Sequence, residues 1–222
     1  RFFNINRLIS ENNIFQKINY CSDACKCWKC SSIAKDKLFF CKDCGAIQNV
    51  NIEKNYFELL QQDCKFNINM SLLTSKFRQL QSILHPDKYS QKSDEEKSNS
   101  LNWSSLVNKA YKTLSNPIER GIYILNIKGF RLPEENESLD KDFLMFVMEK
   151  NEEVENANKK TTLNELLKHS QTELNEMYDE LQISLEKEEF ELSRVMLVKI
   201  KFLNNIVTKI KEKLFKLTIN ND

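Results

Sequence analysis

Six of the seven cysteines fall between residues 21 and 44, and four of them form two pairs, Cys27-Trp28-Lys29-Cys30 and Cys41-Lys42-Asp43-Cys44, separated by ten residues. The two-residue spacing within a pair turns both thiolates toward one point, and two such pairs complete a tetrahedral four-sulfur shell. Zinc suits that shell and keeps its thiol ligands ionised at neutral pH. An iron or iron–sulfur centre would use the same thiolates, and two disulfides would need an oxidising compartment that the rest of the chain does not suggest. Cys21 or Cys25 offers an alternative to Cys27, but the regular pairs make Cys27, Cys30, Cys41 and Cys44 the preferred ligand set. Four thiolates leave no open coordination position, so the ion they hold is structural. Lys37-Leu38-Phe39-Phe40 reads as a short strand entering the second knuckle. Cys64, beside Phe66, reads as a small buried apolar side chain.

The second chemically suggestive element is His85-Pro86-Asp87. It stands between Leu73, Phe77, Leu80, Leu84 and Trp103, Val107, Ala110, Leu114, two series that both step by four, three and four residues. Each series lies on one face of an α-helix, so the pair predicts an antiparallel hairpin with His-Pro-Asp where its first helix ends. By itself the tripeptide is only a helix stop and a turn. The other histidine, His169, lies in a helical stretch as a solvated or half-buried residue. The chain carries no glycine-rich phosphate loop, no GxGxxG and no HExxH, and no enzyme is expected.

The remaining elements are helical by composition and period. Gly and Pro occur three times each, and thirty-three basic side chains face thirty-two acidic ones for a net charge of +1. That balance gives no basic stripe for nucleic acid. No apolar run approaches the ~20 residues of a membrane span, so no membrane insertion is expected. After an acidic linker at 132–137, three more helical segments follow. Two carry coiled-coil-like seams: Leu163, Leu167, Ser170, Leu174, Met177 and Leu181, then Met196, Ile200, Leu203, Val207, Ile210, Leu214 and Leu217. On the first segment Phe143, Val147, Val154 and Ala157 share the core face. Leu144, Met145 and Met148 fall off it, near Glu149 and Glu152, as a second apolar face for another element or a partner.

The expected fold is all-α: a small zinc knuckle at 21–50, a helical hairpin domain at 55–129 and a three-helix bundle at 138–218. The knuckle and the helices read as separate cores, so the helices should outlast metal removal. Residues 1–20 read as the remnant of an organelle transit peptide or as an Asn-rich polar leader.

Two resemblances sharpen this. The helix opening at Asn55-Tyr56-Phe57-Glu58-Leu59-Leu60, the His-Pro-Asp turn, Asn108-Lys109-Ala110-Tyr111-Lys112-Thr113-Leu114, Asn116-Pro117, Arg120 and Tyr123 together resemble the J-domain of co-chaperones that stimulate seventy-kilodalton heat-shock ATPases. With Cys27-Trp28-Lys29-Cys30, Phe39-Phe40-Cys41-Lys42-Asp43-Cys44, Ala46 and Gln48, the whole order resembles the HscB-type (Jac-type) co-chaperones of iron–sulfur cluster assembly in their eukaryotic, tetracysteine form. That resemblance implies a mitochondrial-matrix adaptor, with a cytoplasmic location as the alternative. His85, Pro86 and Asp87 would stimulate the ATPase, assisted by Lys76, Arg78 and Lys88. Leu144, Met145, Met148, Glu149, Glu152 and Phe202 would bind the cluster scaffold protein. Asn156 stands where the family often has a further acid. The alternative is a J-domain protein of general quality control with other clients.

Overall fold

The computed structural model describes residues 25–34, 39–50, 55–132 and 139–219. The leader, Cys21 and the side chain of Cys25 lie outside the described residues, as do Lys37 and Leu38 of the expected strand. Contacts group the chain into two compact units, one of residues 1–52 and 85–103, the other of 53–84 and 104–222.

In the first unit, two short strands, β1 (Cys25–Lys26) and β2 (Ile33–Ala34), pair antiparallel. A lone antiparallel bridge joins Phe40 to Ile47. Each pairing opens a tight turn that presents one cysteine pair. Ser31 adopts φ +59° in the first turn and Gly45 φ +70° in the second. That conformation costs glycine little because it has no Cβ.

In the second unit, α1 (Tyr56–Leu59) is capped by Asn55, whose side chain accepts from the Glu58 N–H. Its Tyr56 ring stacks on Tyr123 at 4.4 Å. Helix α2 (Met70–Leu84) is tied to the later half of α3 (Asp94–Ser115) by Phe77 stacked on Tyr111 at 4.1 Å. Gln81 adds hydrogen bonds to the Ser104 carbonyl at 3.1 Å and to Asn108 Oδ1 at 2.9 Å. The hairpin expected from the two apolar series is present. Helix α4 (Pro117–Ile127) starts from an Asn116 cap with Pro117 at its first position and ends at Gly129, φ +85°.

Helices α5 (Lys141–Asn156), α6 (Lys160–Glu186) and α7 (Phe190–Ile219) form the bundle, with α6 and α7 as its long hairpin. The predicted seams are its core: Leu163, Leu181, Ile200 and Ile210 are fully buried. Helix α4 packs closely on α7. A Cβ placed on Gly121 would lie 2.8 Å from Leu197 Cδ2, so any larger residue here would force the buried Leu197 side chain to shift. Buried Arg120 donates to the Leu114 carbonyl at 2.6 Å and lies over the Phe66 ring at 5.2 Å.

Cys64 departs from expectation. It is exposed in the turn between α1 and α2, and Phe66 takes the inward place instead, against Tyr178.

Candidate functional site

The four cysteines Cys27, Cys30, Cys41 and Cys44 converge, with all sulfurs within 4.8 Å of one another. Cys27 and Cys44 are 3.7 Å apart and Cys30 and Cys41 3.6 Å. A tetrahedron of sulfurs ~2.3 Å from a central ion has edges of ~3.8 Å. The donor set and spacing therefore fit one tetrahedral metal ion. The sulfurs are partly prepared for ionisation. Ser32 Oγ at 3.3 Å and backbone N–H groups lower Cys41 to about 5. The Ala46 N–H favours the Cys44 thiolate, yet burial and three neighbouring sulfurs push that thiol up to about 12. Four crowded thiolates repel one another, and a divalent cation removes the conflict.

Of the residues between the ligands, Lys29, Lys42 and Asp43 are exposed and Trp28 is half-buried. Trp28 Nε1 donates to the Ile47 carbonyl at 2.7 Å and so ties the first knuckle to the second. Gln48 Nε2 donates to Cys27 Sγ at 3.4 Å and to the Ala46 carbonyl at 2.7 Å.

His85-Pro86-Asp87 belongs to this same unit. His85 is extended, φ −62° and ψ 131°, as a residue before proline must be. Pro86 then opens a 3-10 turn through Tyr89. The His85 ring accepts from the Asp87 N–H at 3.4 Å, and its side chain is 52% exposed against 89% for Asp87. Tyr89 is buried and anchors the far end. The polar tips thus face solvent on a turn fixed by proline and an aromatic. Lys88 and Arg78 are exposed and Lys76 is half-buried.

On α5, Val147 and Val154 are buried and Phe143 is half-buried, while Leu144, Met145 and Met148 are 37%, 51% and 63% exposed. Glu149, Glu152 and Asn156 are exposed beside them. Phe202 on α7 is half-buried and meets Phe143 edge to face at 6.3 Å. Three α7 lysines hold α5 in this orientation. Lys199 pairs with the cap residue Asp140 at 2.9 Å, Lys209 donates to Asn151 Oδ1, and Lys213 donates to the Val154 and Glu155 carbonyls at the C-terminal end.

These features can be set beside known proteins. The family described as HSCB C-terminal oligomerisation domain matches residues 139–211. Over 192 residues the chain is 34% identical to the iron–sulfur cluster co-chaperone protein HscB of Homo sapiens, covering 85% of this chain and 82% of that protein. The chain belongs to the HscB family. Mouse HscB is also 34% identical, over 86% of this chain and 83% of its own length. The crystal structure of human HscB matches with a TM-score of 0.81, covering 85% of this chain and 98% of that one at 34% identity. HscB from Vibrio cholerae matches with a TM-score of 0.67 at 28% identity, over 72% of this chain and 96% of its own. The human and mouse relatives are named as co-chaperones, not as enzymes.

One expectation does not hold. The knuckle does not form a core of its own: Phe39 packs edge-on against Trp103 of α3 at 4.9 Å, and Trp103 is fully buried. Its indole Nε1 donates to the Gln48 carbonyl at 2.7 Å. Trp103 lies on the predicted hairpin stripe, but its hydrogen bond, like that of Asn99, goes to a backbone carbonyl of the knuckle, which no side-chain pattern marks.

Proposed function

We propose that the chain is a two-partner adaptor: it binds the iron–sulfur cluster scaffold protein and delivers it to a mitochondrial seventy-kilodalton heat-shock ATPase, whose hydrolysis its His-Pro-Asp turn stimulates. Zinc is the ion of the four-cysteine site, on the grounds of an all-thiolate tetrahedral shell. The observation that carries the reading is the α5 face. Leu144, Met145 and Met148 form a surface of three adjacent apolar side chains, two of them flexible thioethers, bordered by Glu149 and Glu152. Desolvating such a face against a complementary surface is a strong source of affinity, while the acids guide approach.

The turn supplies a separate function. Asp87 and His85 point outward on a backbone whose shape is set by Pro86, so little freedom is lost when they meet the ATPase. Lys76, Arg78 and Lys88 add positive charge for an acidic partner. Calorimetric titration of the scaffold protein, with and without the α5 face, tests the reading. Binding that survives loss of all three side chains would refute it.

A further inference from the structure

Three residues on one face of α3, Glu96, Asn99 and Trp103, are each joined to the metal knuckle. Their spacing of three and four residues aligns them along a single helical stripe. Lys29, lying between ligands Cys27 and Cys30, reaches Glu96 Oε2 at 3.6 Å, and the Glu96 side chain is only 9% exposed. The same carboxylate accepts from Ser93 Oγ at 3.2 Å while the Glu96 N–H donates to Ser93 Oγ at 3.4 Å, so the Glu96 that completes the α3 cap is also the residue that meets the knuckle. Asn99 Nδ2 donates to the Ile47 carbonyl at 3.4 Å, the carbonyl that Trp28 also uses. Gln48 completes the link: its amide touches the ligand sulfur of Cys27 and its carbonyl accepts from Trp103. The His-Pro-Asp turn leads directly into this end of α3: the Lys92 N–H donates to the Tyr89 carbonyl at 2.9 Å, Ser93 follows, and residues 85–103 group with the knuckle in one compact unit. Burial and the nearby Glu96 charge raise the phenol of Tyr89, the last residue of that turn, above its ordinary value.

We propose that the knuckle is a metal-dependent brace for the His-Pro-Asp turn, with Lys29 and Gln48 as the positioning residues that connect the four-cysteine site to the first half of α3. With the ion bound, the two knuckles hold the Ile47 and Gln48 carbonyls in register with Asn99 and Trp103. Without it, the two turns lose their common anchor, the Trp103 N–H loses its acceptor inside a buried site, and the Ser93–Glu96 cap loses Lys29. The second half of α3 is held by α2 through Phe77–Tyr111 and Gln81, so the loosening is local. Only the consequence for stimulation rests on the function proposed above; the structural coupling does not.

Hydrogen exchange on the full chain tests this, comparing zinc-loaded protein with protein stripped by a chelator. Amides of 87–89 and 94–103 should exchange at least about tenfold faster after stripping, with those of α6 unchanged, and zinc alone should restore them. Lys29→Met and Gln48→Ala, neither of which removes a ligand, should retain one metal per chain and still speed exchange at 94–103. Unchanged exchange at 94–103 after stripping would overturn the brace. So would equal acceleration in α6, because the metal would then support the whole fold and not this turn. If exchange responds as expected but the loaded protein stimulates no heat-shock ATPase, the brace stands and the functional reading fails.

Discussion

Phe143 of α5 and Phe202 of α7 meet edge to face with ring centroids 6.3 Å apart, and this contact decides which side of α5 remains for a partner. With Val147 and Val154 it turns one face of the helix inward, and Leu144, Met145 and Met148 are left outward. Replacing these three together with serine should weaken scaffold binding severely, since truncating a central interface anchor commonly costs ~2 kcal/mol or more. Helicity should be unchanged. Phe202→Ala should add to the loss, and because Phe202 also supports Phe143 it should lower thermal stability as well. Calorimetry and circular dichroism on the same samples check both points; lost helicity in the triple variant would mean that the three residues are core.

Gly121 and Leu197 make a second test, of the packing that joins α4 to α7. In Gly121→Ala the new methyl would meet Leu197 Cδ2 at 2.8 Å, and Leu197 is fully buried. Overpacking of this kind costs ~1–3 kcal/mol. The melting temperature should fall, and adding Leu197→Val should recover part of the loss by making room.

The Asp140–Lys199 pair gives a pH signature. A hydrogen bond from Lys199 and one from the Phe143 N–H hold the Asp140 carboxyl below its ordinary 3.8. A depressed folded-state value means that the contribution to stability is present above the unfolded value and is lost as pH falls through the folded one. Wild type should therefore exceed Asp140→Asn in melting temperature near neutrality. The two should converge in acid below the ordinary carboxylate range.

For the metal site, one zinc per chain is expected in protein purified under reducing conditions. Changing Cys27, Cys30, Cys41 and Cys44 to serine should abolish it by elemental analysis. Full zinc retention would refute the ligand set. Loss of zinc in a Cys21→Ser or Cys25→Ser variant would move the register.

Much of this was legible in the sequence because it is periodic. The seams at Leu163–Leu181 and Met196–Ile210 are core, and the residues one step off the Phe143 stripe are exposed, since a regular helix converts spacing directly into direction. Cysteine spacing likewise located the four-sulfur cluster. What escaped is carried by irregular backbone. The contacts of Trp103 and Asn99 go to carbonyls of Gln48 and Ile47, which every residue possesses and no side-chain pattern marks. Cys64 escaped for a related reason: in a turn, neighbouring residues do not alternate between inside and outside with a fixed period, and Phe66, two residues on, takes the interior.

The proposed function places a scaffold-binding helix and an ATPase-stimulating turn on one chain. Single-turnover hydrolysis by the heat-shock ATPase, measured with scaffold protein and either wild-type chain or Asp87→Asn, addresses it most directly. Asp87 is 89% exposed, so its loss should move stability by no more than ~0.5 kcal/mol. The expected result is stimulation by wild type, none by Asp87→Asn, and equal melting temperatures and scaffold affinities for the two. Stimulation by Asp87→Asn equal to wild type would contradict the account.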